Sequence, residues 1–168
     1  MESRAKFAGH PIHQMMVAFP IGAFGVAVTS DVLGRGRSAQ KYEATAAMAI
    51  NVGLVSAALA VPFGLVDWLA IPGGTRAKRV GLWHALGNAS LLGLFAGSSW
   101  LRARGDMRRA RWLSGAGMML GGLTAWLGGE LVNRHGIGVH DQLGFDSPQA
   151  LPERQQRPKG TPPTAEAP

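Results

Sequence analysis

ATAAMAINVGLVSAALAVPFGLV, residues 44–66, runs for about six helical turns without a Lys, Arg, Asp or Glu. A helix on the surface of a soluble bundle places charge on its outer face at a period near 3.6 residues, and this stretch has no such face. Its length matches the roughly 20 residues needed to cross the hydrocarbon core of a bilayer. Residues 12–30, 80–101 and 112–129 are equally free of charged side chains. The pattern predicts an all-α fold: an integral membrane four-helix antiparallel bundle over residues 7–140, followed by a disordered Pro-rich C-terminal tail at 146–168.

Working outward from the spans, the connectors carry the charge. The formal net charge is +7 and the pI is near 11, which in a soluble protein would raise nucleic acid as a partner. Here the basic residues are divided among connectors, such as Arg35, Arg37 and Lys41, or Arg102, Arg104, Arg108, Arg109 and Arg111. That is how loops beside anionic lipid look, so the expected partner is the lipid bilayer and not nucleic acid. Trp68, Trp83, Trp100 and Trp112 fall at or near span ends, where amphipathic rings favour the interface. With no cysteine in the chain, disulfides, thiolate metal sites, Cys-ligated iron–sulfur clusters and covalent c-type haem attachment are excluded. Arg4 and Lys6 before the first apolar run give it the look of a signal peptide. The run is too long for one and holds His13 and Pro20, which argues for a retained span.

The spans extend over about Ile12–Leu33, Ala44–Leu69, Val80–Leu101 and Trp112–Val132. Pro20 and Pro62 lie inside the first two, and each leaves a carbonyl without its helical partner, Met16 or Ala58, so kinks are expected there. Gly93 with Gly97 and Gly117 with Gly121 allow close helix approach, more simply within one bundle than between two copies. Connectors 34–43 and 102–111 hold eight Lys or Arg against six on the near flanks of the other side. This predicts a multi-pass protein of a prokaryotic inner membrane with both termini outside the cytoplasm.

Four antiparallel spans bring the start of the first, the end of the second, the start of the third and the end of the fourth to one face. His10 and His13, Asp67, His84 with Asn88, and Glu130, Asn133 and His135 occupy those places. Ionisable residues within spans are costly and face partners in the bundle interior. Three readings of the layer stay open. In the first, two histidines on different helices, His13 with His84 or His84 with His135, ligate a haem b through its axial positions, with glycine-rich faces making room for the porphyrin. Alternatively His10, His13, His84 and His135, with Asp67 or Glu130, hold a Zn or Fe ion. In the third, the groups satisfy one another through hydrogen bonds and ion pairs with Arg76, Arg79 or Arg134. No G-x-S-x-G elbow, GxxxxGK[ST] loop or dinucleotide fingerprint is present, which leaves no support for hydrolase or nucleotide chemistry.

The run Gly9-His10-Pro11-Ile12-His13, continuing to Phe19-Pro20-Ile21-Gly22, and the run from Gly128-Gly129-Glu130 through His135 to Val139 resemble the uncharacterised prokaryotic membrane-protein family termed domain of unknown function 2231. His84 falls where its members tend to carry a histidine. The resemblance implies a four-span membrane protein, and its members joined to Rieske-type domains imply electron transfer with an electron-transfer protein as partner. Gln14 and Ala18 stand where many relatives have Pro and His, so an obligatory imidazole at the latter position would be missing here.

Overall fold

The computed structural model describes residues 1–34 and 36–139; the tail expected at 146–168 lies outside the described residues. The chain opens with two short antiparallel strands, β1 (Lys6–Phe7) and β2 (His10–Pro11), joined by a tight turn. Ala8 and Gly9 both take positive φ there, 48° and 83°, as a two-residue hairpin turn of the right twist requires. The helices are α1 (Ile12–Met16), α2 (Ala18–Leu33), α3 (Ala39–Ala70), α4 (Arg76–Ala103) and α5 (Met107–Asn133).

Pro20 has no N–H to offer the Met16 carbonyl, and the first span breaks nearby into α1 and α2 at Val17. Pro62 acts more mildly: α3 runs unbroken through it. The N-termini of α4 and α5 are capped by side chains, Thr75 accepting from the Lys78 N–H and Asp106 from the Arg109 N–H. At the end of α4 the chain reverses through Gly105, whose φ of 81° suits glycine.

These helices form an antiparallel bundle of two hairpins, α2 against α3 and α4 against α5, joined side by side. The hairpins repeat one another. His13, Ala18, Gly22 and Phe24 have the same spacing as His84, Ala89, Gly93 and Phe95, and Ala46, Gly53, Leu59 and Gly64 the same as Ala110, Gly117, Leu123 and Gly128. Packing follows the repeat. The Phe24 ring covers Gly53, the Phe95 ring covers Gly117, and the two rings stack on each other at the centre of the bundle. Both hairpins enter from the same end, so the repeats are parallel, related by an axis along the bundle.

The buried core is built mostly of small residues, among them Ala27, Ala46, Ala57, Ala60 and Ala110 around Phe24, Ile50 and Phe95. The large apolar side chains point outward on all four long helices: Phe19 and Val26, Val55 and Leu59, Trp83 and Leu86, Met119, Leu123 and Trp126. A protein in water would bury such groups, whereas lipid-embedded helices put small residues at their contacts. Ile12–Leu33 and Ala39–Ala70 are long and apolar enough to cross a membrane. The other two are 28 and 27 residues long and show the same outward apolar faces. The small-residue pairs serve the bundle itself, since a Cβ on Gly97, Gly117 or Gly121 would meet Leu113, Phe95 or Leu91 within 3.1 Å. Gly93 faces open space.

Candidate functional site

His13 and His84 occupy matching positions in the two hairpins and make matching contacts. The His13 Nδ1–H donates to the Ala60 carbonyl of α3 at 3.0 Å, and the His84 Nδ1–H to the Thr124 carbonyl of α5 at 2.9 Å. Each ring lies over the glycine one turn further along the same helix: a Cβ on Gly64 would come to 2.7 Å from His13, and one on Gly128 to 3.0 Å from His84. With Nδ1 committed to a carbonyl, each imidazole turns Nε2 away from the backbone, in the tautomer that a metal ligand needs. The repeat is broken at one point. Asn88, one turn after His84, places its Nδ2 3.0 Å from His84 Nε2, whereas the corresponding residue after His13 is Val17.

The remaining members of the layer have other partners. Asp67 is buried and accepts the Ser3 hydroxyl at 2.8 Å and the Arg4 N–H at 2.8 Å, which ties the N-terminal segment across the end of the bundle. Glu130 is held between Arg134 at 3.2 Å and Arg76 at 3.5 Å, two of the arginines expected to pair within the layer. His10 sits exposed on β2. Asn133 is exposed at the last turn of α5. His135 follows that helix, with Nε2 buried and without a hydrogen bond among the described residues. Among the described residues no three His, Asp or Glu side chains converge closely enough to hold a metal ion. The fold gives two imidazoles, His13 and His84, equivalent settings in the two hairpins.

A second polar centre lies at the opposite end of the bundle. Asp31 and Arg102 have side chains 7% and 3% exposed and meet at 2.5 Å. Ser98 and Ser114 turn their hydroxyls to the Arg102 guanidinium, each at 3.4 Å. Arg111 adds a contact to Glu43 at 2.9 Å and to the Gly34 carbonyl at 3.2 Å. The signal that would have exposed this centre is the internal repeat, in which Asp31 and Arg102 fall at the same position of the two hairpins.

The family model for predicted membrane proteins called DUF2231 matches residues 9–141, most of the chain and nearly all of the bundle. The chain belongs to the DUF2231 family. The match takes in both histidine-bearing hairpins of this DUF2231 protein and the buried ion pair. No curated protein and no solved structure matches it.

Proposed function

We propose that this DUF2231 protein is a multi-pass protein of a prokaryotic inner membrane, with both termini outside the cytoplasm, that holds a haem b between His13 and His84 and serves membrane electron transfer. The observation that carries the reading is the matched pair of Nδ1–H donations to Ala60 and Thr124 over Gly64 and Gly128, which orients two imidazoles alike. The donor set favours haem over a bare ion. Haem iron takes two axial ligands, and two imidazoles suffice. A Zn or Fe ion bound by protein alone asks for about four ligands, and Asp67 and Glu130 are already engaged by Ser3, Arg4, Arg76 and Arg134. Bound iron would supply one-electron transfer; the chain supplies orientation and a water-poor setting. Ligation at His84 requires Asn88 to give up Nε2.

The Asn88 contact also favours a second reading, a structural or partner-binding membrane subunit in which the layer is a hydrogen-bonded network. One experiment separates the two. The full chain, expressed in haem-replete cells and purified in mild detergent, is examined by visible spectroscopy and metal analysis. The haem reading predicts a Soret band that disappears in His13→Ala and in His84→Ala. Stoichiometric Zn or Fe without visible absorbance would mean an ion site, and neither signal would leave the structural subunit.

A further inference from the structure

At the end of the bundle remote from the histidines, an open groove of about 410 Å³ lies between the first turns of α3 and the last turns of α4. Glu43, Ala47, Asn51, Ser99, Arg102 and Met107 line it. It exists because the repeat is unequal. Ala47 and Arg111 hold the same position in the two hairpins, each just after its buried alanine, Ala46 or Ala110. Arg111 fills its side of the bundle, reaching Gly34 and Glu43. On the other side the corresponding side chain is a methyl group, and the space stays open.

The lining has uncommitted hydrogen-bonding groups of both kinds. Arg102 spends Nε and Nη2 on Ser98, Ser114 and Asp31; its Nη1 has no hydrogen bond among the described residues and is buried behind the lining. Asn51 accepts the Ser99 hydroxyl at 2.8 Å through Oδ1, which leaves its amide N–H groups to donate. Glu43 gives Oε1 to Arg111, and its other oxygen makes no hydrogen bond among the described residues. The formal charges of Asp31, Glu43, Arg102 and Arg111 cancel, so a bare anion or a bare cation would unbalance the site. A ligand carrying both, with an anionic oxygen for Arg102 and a cationic N–H for Glu43, would not. Glu43 lies near the end of the bundle and Asn51 about 12 Å deeper along α3. Met48 and Val55, on the same side of α3, are 70% and 63% exposed and continue the groove as an apolar track.

We propose that this groove binds the head group of a zwitterionic, primary-amine phospholipid. Its phosphate meets the Asn51 amide in front of the Arg102 guanidinium, its ammonium meets Glu43, and its acyl chains follow Met48 and Val55. The site is independent of the histidine pair, so it stands or falls apart from the haem reading.

The test titrates the detergent-purified full chain with phosphatidylethanolamine, phosphatidylglycerol or inorganic phosphate, reading bound lipid by native mass spectrometry and the thermal midpoint in parallel. The expected result is one phosphatidylethanolamine retained per chain and a midpoint raised by several degrees, with at least tenfold weaker retention of phosphatidylglycerol and no effect of phosphate. Ala47→Leu narrows the groove at its lining, leaving Glu43, Asn51 and Arg102 in place, and should abolish retention while the helical signal is kept. Glu43→Gln should erase the preference between the two lipids. Equal retention of both lipids by the unaltered chain, an equal midpoint shift from phosphate alone, or retention unchanged in Ala47→Leu would overturn the proposal.

Discussion

Phe24 and Phe95 lie face to face, ring centroids 3.9 Å apart and planes 9° from parallel, each with its outer face against a glycine of the neighbouring helix. Because the two residues are equivalent in the repeat, this stack marks the axis about which the hairpins are arranged, and Gly53 and Gly117 are the positions that admit it. A Cβ at Gly53 would fall 2.5 Å from the Phe24 ring and one at Gly117 2.9 Å from the Phe95 ring. Overpacking of this kind costs about 1–3 kcal/mol. Gly53→Ala and Gly117→Ala should therefore each lower unfolding stability by about that amount, read by denaturant or thermal unfolding in detergent. Gly93→Ala, where a Cβ meets nothing within 4 Å, should be neutral or stabilising by up to about 1 kcal/mol through helix propensity. Equal losses at all three sites would show that the stack does not set the helix spacing.

Gly64 and Gly128 play the corresponding part for the imidazoles. An added methyl at either would displace His13 or His84 from its carbonyl acceptor while leaving the helix able to form. If haem is bound as proposed, Gly64→Ala and Gly128→Ala should reduce its occupancy at least tenfold with the far-ultraviolet helical signal unchanged. Asn88→Ala should preserve or raise occupancy, since it frees His84 Nε2. A Soret band indifferent to both glycine substitutions would remove the histidine pair from the ligand set.

The buried pair of Asp31 and Arg102 offers a sharper energetic contrast. Removing one partner strands the other in a dry site, at a cost of about 3–5 kcal/mol, while replacing both with apolar or neutral groups avoids that penalty. Asp31→Asn and Arg102→Met should each destabilise strongly, and the double variant should recover at least half of the larger loss. Additive single and double effects would mean that the two charges do not depend on each other. Ser98 and Ser114 reinforce the asymmetry: their counterparts beside Asp31 are Ala27 and Ile50, so the hydroxyls that solvate the guanidinium exist on one side only.

Asp67 is a clamp in this fold. Asp67→Ala should release residues 1–11 to limited proteolysis and lower stability by about 1–3 kcal/mol, the cost of leaving the Ser3 hydroxyl and the Arg4 N–H unmet. It should leave any visible spectrum unchanged. Loss of the chromophore in this variant would return Asp67 to the ligand set.

Charge-free runs such as 44–66 settled the helical, membrane character and the number of long helices by themselves, because a segment that must satisfy its own backbone in lipid announces itself by length and composition. The same reasoning placed His13, His84, Asp67 and Glu130 near one end, since antiparallel order fixes depth. Which of them meet was beyond its reach. Depth along a helix says nothing of the direction a side chain takes around it, and that direction was decided by packing: His13 and His84 over paired glycines, Asp67 drawn to Ser3, Glu130 to its arginines. The kink at Pro20 was legible from a missing N–H, and the unbroken α3 at Pro62 was not, because neighbouring contacts set how far a helix bends. The Asp31–Arg102 pair was hidden for a similar reason. A charge at the edge of an apolar run looks like an interfacial residue until the fold folds it inward, and only the overlay of one hairpin on the other turns two isolated charges into a buried pair.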